Sequence, residues 1–226
     1  LNSLTFTAKN DLFVNSPITN SGAGSINLYA GWDGQSPATA PVLQSCVGCS
    51  AYLYANISTL GELTVNAGTA TSITSTLTSG QAMSLGGTVN LNGGTLAGAG
   101  ALTTSGSVTI SGNTTLNGKT WNNDGSVDVT GVDGQLALAN GAVVNNNATF
   151  TLSGSNASPL AYGGGSASVF NNYSELIKQT DNGTQTIGIN GAFNNIGYVL
   201  VNNGILNLAT SGTHTGLFQA EPTTGA

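Results

Sequence analysis

One phrase recurs four times between Trp121 and Asn203: an apolar residue followed by two asparagines. It stands at Trp121-Asn122-Asn123, Val144-Asn145-Asn146, Phe170-Asn171-Asn172 and Phe193-Asn194-Asn195, with intervals of 23, 26 and 23 residues between the leading positions. A short apolar run follows each: Val127 and Val129, Phe150 and Leu152, Leu176 and Ile177, Val199 and Val201. A unit this short cannot bury an apolar face by itself. Stacked on copies of itself it buries a continuous core, which is how a solenoid is built.

The spacing inside each unit selects the secondary structure. Apolar residues alternate with period two and stop at Asn or Gly, which marks half-buried strands, and no stretch shows the 3.6-residue spacing of a helix. Strands are expected at Tyr52 to Ile57, Leu63 to Val65, Ile73 to Leu77, Met83 to Leu85, Val89 to Leu91 and Val108 to Ile110. Turns are expected between them at Asn66-Ala67-Gly68, Gly86-Gly87 and Asn92-Gly93-Gly94. A second strand of each unit appears as Leu136-Ala137-Leu138, Ile187-Gly188-Ile189 and Leu206-Asn207-Leu208.

The same rhythm is present at the start, where Leu4, Phe6 and Ala8 recur as Ile26, Leu28 and Ala30. The fold expected is all-β, a right-handed parallel β-helix (β-solenoid) of about 23 residues per coil. Its nine or ten coils make a rod on the order of 45 Å long at the strand spacing of about 4.8 Å. Inward Val, Ile, Leu and Phe stack in rows, while Asn and Gly take the corners because they tolerate positive φ. Asparagines aligned from coil to coil form hydrogen-bonded side-chain ladders. Asn122, Asn123, Asn145, Asn146, Asn171, Asn172, Asn194 and Asn195 are the candidates, and a row of ligand-binding amides is the functional alternative.

Residues 1–226 read as a single β-helix with four parts. Coils occupy 1–33, a loop or excursion 34–50, repeat coils 51–209, and a terminal segment or linker 210–226. The excursion holds Pro37, Pro41 and both cysteines; proline lacks the N–H that a ladder requires. Insertions of this kind carry recognition in some solenoids and are tolerated surface in more of them.

Cys46 and Cys49 form a single Cys-x-x-Cys. A zinc site lacks two further ligands, since the one histidine, His214, is far away in sequence. A thioredoxin-like pair expects a βαβ context. A local disulfide in an exported protein is the reading left, with two free thiols as its alternative.

Charge excludes whole classes of partner. Charged residues are 5% of the 226, the three cations are Lys9, Lys119 and Lys178, and there is no arginine. A net charge of −6 is unsuited to nucleic acid or an anionic membrane surface. No run of 18 apolar residues provides a membrane span. The start, Leu1-Asn2-Ser3-Leu4, is not a signal peptide and reads as the middle of a repeat, so the chain is expected to be a piece of a longer or processed protein.

Carboxylates stand at Asp11, Asp33, Glu62, Asp124, Asp128, Asp133, Glu175, Asp181 and Glu221, and only Asp124, Asp128 and Asp133 cluster in sequence. Alternation points Asp128 outward, so the cluster reads as a solvated face rather than a sugar-cleaving pair. With no arginine and one histidine, neither a lyase nor a hydrolase constellation of the β-helix type is complete. No catalytic residue, cofactor or metal ligand is expected. Sequons begin at Asn56, Asn113, Asn147, Asn156, Asn172 and Asn182. Thr-x-Thr pairs at Thr5/Thr7, Thr149/Thr151 and Thr213/Thr215 do not share one repeat phase, so no flat threonine array is expected.

Leu4-Thr-Phe-Thr-Ala-Lys-Asn-Asp-Leu-Phe-Val-Asn15 followed by Ser25-Ile-Asn-Leu-Tyr-Ala-Gly-Trp-Asp-Gly34 resembles the β-helical exoproteins of the filamentous haemagglutinin type. The stretches Gly87 to Leu96, Phe193 to Gly197 and Gly204 to Leu208 resemble repeats of large autotransporter-like bacterial adhesins. The resemblance covers most of the chain except 34–50 and the end, and it is one of rhythm rather than of a catalytic signature. It implies export and display at the bacterial cell surface, with adhesion, aggregation or biofilm scaffolding as the role. The partner is then a host or neighbouring-cell surface, protein or glycan, or copies of the chain end to end. A self-assembling extracellular fibre or matrix subunit is the first alternative, and a carbohydrate-binding or carbohydrate-active β-helix the second.

Overall fold

The computed structural model describes residues 2–38, 40–44, 46–179 and 183–221. Asp181, the sequon at Asn182 and the last part of the terminal segment, 222–226, lie outside the described residues.

Every regular element among the described residues is a strand, and every strand-to-strand pairing is parallel. The chain is a parallel β-solenoid with three faces. The first face begins with Leu4–Ala8 and Ile26–Ala30 and runs through Thr120–Asn123, Val143–Asn146, Ser168–Asn172 and Gly191–Asn195. Isolated bridges Ala192 to Ser211 and Asn195 to His214 add a last, incomplete rung. The second face runs from Leu12–Val14 to Leu217–Ala220, and the third from Ile18–Asn20 to Ile205–Leu208.

The pairing register reproduces the repeat. Leu4 pairs with Ile26, Trp121 with Val144, Val144 with Phe170, and Phe170 with Phe193. Early coils are shorter than the 23-residue estimate: Leu63 pairs with Met83, Met83 with Leu102, and Leu102 with Trp121. About ten turns averaging about 22 residues result. Alternating residues of each strand point inward, so Ile26, Leu63, Leu102, Trp121, Phe170 and Phe193 are fully buried. Each such side chain stabilises the stack by roughly 1.5–3 kcal/mol. Phe150, Phe170 and Phe193 touch in sequence at centroid distances of 5.2 and 5.6 Å.

Two expected turns are not turns. Leu63–Ile73 and Met83–Leu91 are continuous strands that join the first face to the second, and they pair with each other across a register shift between Asn66 and Ala70. Gly86 permits this, because a Cβ there would sit 2.7 Å from the Asn66 side chain. Conversely, Tyr52 to Ile57 is not one strand: Ala51–Leu53 ends at a corner, and Ile57–Thr59 belongs to the next face.

Residues 34–50 leave the coil at the corner between the first and second faces. Asp33 organises the departure: its carboxylate accepts hydrogen bonds from the Gln35 and Ser36 amides (2.9 and 2.8 Å) and from Ser36 Oγ (2.7 Å). These donors, with Lys9 nearby, hold its pKa below the usual carboxylate value. Trp32 Nε1 donates to the Ser36 carbonyl at 2.9 Å, and Trp32 forms an antiparallel bridge with Leu43. The chain returns through Cys46 and Cys49, which are joined by a disulfide with Cα atoms 5.4 Å apart.

Candidate functional site

The paired asparagines form two columns with different environments. Asn123, Asn146, Asn172 and Asn195 point inward and are fully buried, whereas Asn122, Asn145, Asn171 and Asn194 point outward and are half-buried. In the inner column Nδ2 of Asn123 donates to Asn146 Oδ1, Asn146 to Asn172 and Asn172 to Asn195, each at 2.8 Å. The second proton of each Nδ2 goes to a backbone carbonyl that opens the second-face strand one coil on. Asn123 donates to Thr149, Asn146 to Glu175, Asn172 to Tyr198, and Asn195 to Leu217. Both protons of the Asn123, Asn146 and Asn172 amides are thereby used, which offsets the desolvation cost of placing them in the core.

The outer column runs the other way. Asn194 donates to Asn171, Asn171 to Asn145, and Asn145 to Asn122, each at 2.9 Å. Asn194 Oδ1 accepts from the Thr213 amide at 3.0 Å, which fixes this direction. Each of these three Nδ2 groups spends one proton on its neighbour, and the half-buried column keeps the second on its outward side. Before Asn123 the inner row is occupied by Phe6, Leu28, Val65 and Leu85 and then Thr104, whose Oγ1 accepts from Trp121 Nε1 at 2.9 Å. His214 follows Asn195 and lies against Phe193 and Phe218.

Asp124 and Asp128 are each engaged by a side chain of the following coil. Asp124 accepts from Asn147 Nδ2 at 2.7 Å, and Asp128 accepts from Ser153 Oγ on the outward side of the second face. Among the described residues no three His, Cys, Asp or Glu side chains stand close enough to hold a metal ion. Of the described sequons, Asn172 is fully buried in the inner column, whereas Asn56, Asn113 and Asn147 are exposed. Thr5 and Thr213 belong to the first face, and Thr149 and Thr151 to the second.

Two of the lysines are buried among the apolar strands. Lys178 lies fully buried between Leu152 and Val201, at the inward phase that follows Leu176, so Ile177 points outward. Lys119, 1% exposed, reaches back to donate to Ser79 Oγ (3.0 Å) and the Gly100 carbonyl (2.6 Å). Burial pushes its pKa down to about 8. A lysine whose folded pKa is depressed costs stability while protonated, and that cost is relieved as pH rises from about 8 toward the unfolded value of 10.5. Urea unfolding of the wild type is expected to gain about 2 kcal/mol between pH 7 and pH 10 relative to Lys119→Met. Parallel pH curves for the two proteins would show that the ammonium is not desolvated.

Aromatic rings mark the outer surface of the first coils. Phe13 and Tyr52 stack at 4.9 Å with planes 10° apart, and Tyr54 lies 6.0 Å from Tyr52. Beside them an open hollow of about 340 Å³ is lined by Phe6, Leu12, Phe13, Val14, Ile18 and Leu28. At the opposite end Leu217 and Phe218 are exposed by 59% and 43%. Comparison of the chain with protein-family models, curated proteins and solved structures found no match.

Proposed function

We propose that the chain is a structural or adhesive rod segment of a secreted, surface-displayed bacterial exoprotein of the filamentous haemagglutinin or autotransporter-like type, and that it is not an enzyme. The observation that carries this reading is the character of one outward row of the first face. It reads Asn27, Thr64, Ser84, Thr103, then the four outer asparagines, all short and uncharged. Such a surface holds a shape over a long distance and provides no acid, base or nucleophile in a cleft. Its partners are a protein or glycan on a host or neighbouring cell. Nucleic acid and membrane insertion are not part of the reading. The test is binding of the purified chain to glycan arrays and to fixed bacterial and host cells, alongside a polysaccharide depolymerisation assay. Cell binding without depolymerisation supports an adhesive rod; release of oligosaccharides would replace it with a carbohydrate-active one.

The exposed apolar residues of the outermost described rungs favour a second reading, an extracellular fibre in which copies stack end to end. Strand edges with unpaired backbone groups template further strands, and Phe6 at one end and Phe218 at the other lie on inward rows. Electron micrographs of concentrated protein are expected to show filaments, and Phe218→Lys to shorten or abolish them. A wild-type chain that scatters light as a monomer at every concentration would remove this reading.

A further inference from the structure

The disulfide at the return of the excursion is asymmetric. Cys49 is fully buried, Cys46 is partly exposed, and Val47 between them is fully exposed at the loop tip. Cys49 is enclosed by backbone rather than by movable side chains. A Cβ on Gly31 would lie 3.0 Å from Cys49 Cβ and 3.2 Å from its Sγ, and one on Gly68 would lie 3.3 Å from Cys49 Cβ. The Lys9 carbonyl oxygen stands 3.7 Å from Cys49 Sγ. The segment is also held in place from the next coil: Thr69 donates from Oγ1 to the Cys46 carbonyl at 2.6 Å and from its amide to the Cys49 carbonyl at 3.0 Å.

Thiol–disulfide exchange requires a thiolate to reach one sulfur, and access decides which sulfur is attacked. At Cys49 the approaches are occupied by Gly31, Gly68 and Lys9. Cys46, by contrast, is a partly exposed residue beside the fully exposed Val47. We propose that Cys46 Sγ is a covalent attachment site for an external thiol.

In the step, the external thiolate sulfur bonds to Cys46 Sγ and the bond between Cys46 and Cys49 breaks. Its electron pair leaves on Cys49 Sγ, which takes a proton from water. One disulfide replaces another, so no external oxidant or reductant is consumed. The buried Cys49 thiol stays beside the mixed disulfide and reverses the attachment when the external group is free to leave. The site is independent of whether the rod is adhesive.

The experiment uses the whole chain in native buffer. Wild-type protein is exposed to reduced glutathione, or to a short cysteine-bearing peptide, then quenched with acid and mapped by mass spectrometry. The adduct is expected on Cys46. In parallel, Cys49→Ser and Cys46→Ser are treated with glutathione disulfide. Glutathionylation of the thiol left in Cys49→Ser is expected to be faster than that of the thiol left in Cys46→Ser by at least about tenfold, a gap that closes in denaturant. Modification by the peptide as well as by glutathione identifies a site open to thiols carried on another chain, and modification by glutathione alone a site for free thiols; either supports exchange at Cys46. An adduct on Cys49, equal rates in the two variants, or a wild-type disulfide that yields no adduct overturns the proposal.

Discussion

Asn172→Asp is expected to cost on the order of 4 kcal/mol or more at neutral pH, because it leaves a buried charge without a partner. The amide it replaces donates to Asn195 Oδ1 at 2.8 Å and to the Tyr198 carbonyl at 3.0 Å. A carboxylate directs oxygen at both of those oxygens, in a fully buried position. Asn171→Asp, one residue away on the outer column, interrupts the donation to Asn145 where water replaces it, so it is expected to cost only about 1 kcal/mol. Denaturant midpoints at neutral and acid pH separate the two. Burial raises the pKa of the new carboxyl in the folded state, so its penalty is full at neutral pH and fades on acidification, when an O–H restores one donation. Equal losses for the two variants would mean that the inner column does not stabilise the stack.

Gly94→Ala is the second large effect. Gly94 has φ +82°, and a Cβ there would lie 2.1 Å from the Ser75 carbonyl oxygen of the preceding coil. Backbone cannot rotate aside as a side chain does, so the two rungs must separate. The expected loss exceeds about 3 kcal/mol, combining left-handed strain with disrupted pairing. Gly131 isolates the first contribution: its φ is +76°, and nothing lies within 4 Å of its would-be Cβ. Gly131→Ala is therefore expected to cost about 1 kcal/mol. Thermal melts of the two alanine variants, compared with wild type, read the difference. Similar shifts would show that the rungs at Gly94 part without loss.

The coil period was legible because an apolar residue in a stacked rung must meet its counterpart in the next one. The spacings of Trp121, Val144, Phe170 and Phe193, and of Leu4 and Ile26, are the observed registers. The corners were less legible, since glycine and asparagine serve turns and bulges alike. Asn66-Ala67-Gly68 and Gly86-Gly87 carry the composition of turns yet lie inside long strands. Composition also hides the difference between Asn122 and Asn123: only alternation counted from Trp121 separates the outward amide from the buried one. The lysines illustrate the opposite failure. Alternation from Leu176 places Lys178 inward, but the cost of burying a cation argues against trusting the pattern there. Lys119 sits just before its strand, where alternation carries no information, and its partners lie one and two coils back.

The opposed directions of the two asparagine columns have an electrical consequence. An amide column in which every group donates the same way accumulates a dipole as it lengthens, as a helix does. Here the inner column donates from Asn123 toward Asn195, and the outer column from Asn194 toward Asn122. Their axial fields oppose one another across the four coils that carry both columns. A rod built this way can be extended by further coils without charging its ends. With 5% charged residues in the chain, few side chains are available to neutralise such a field.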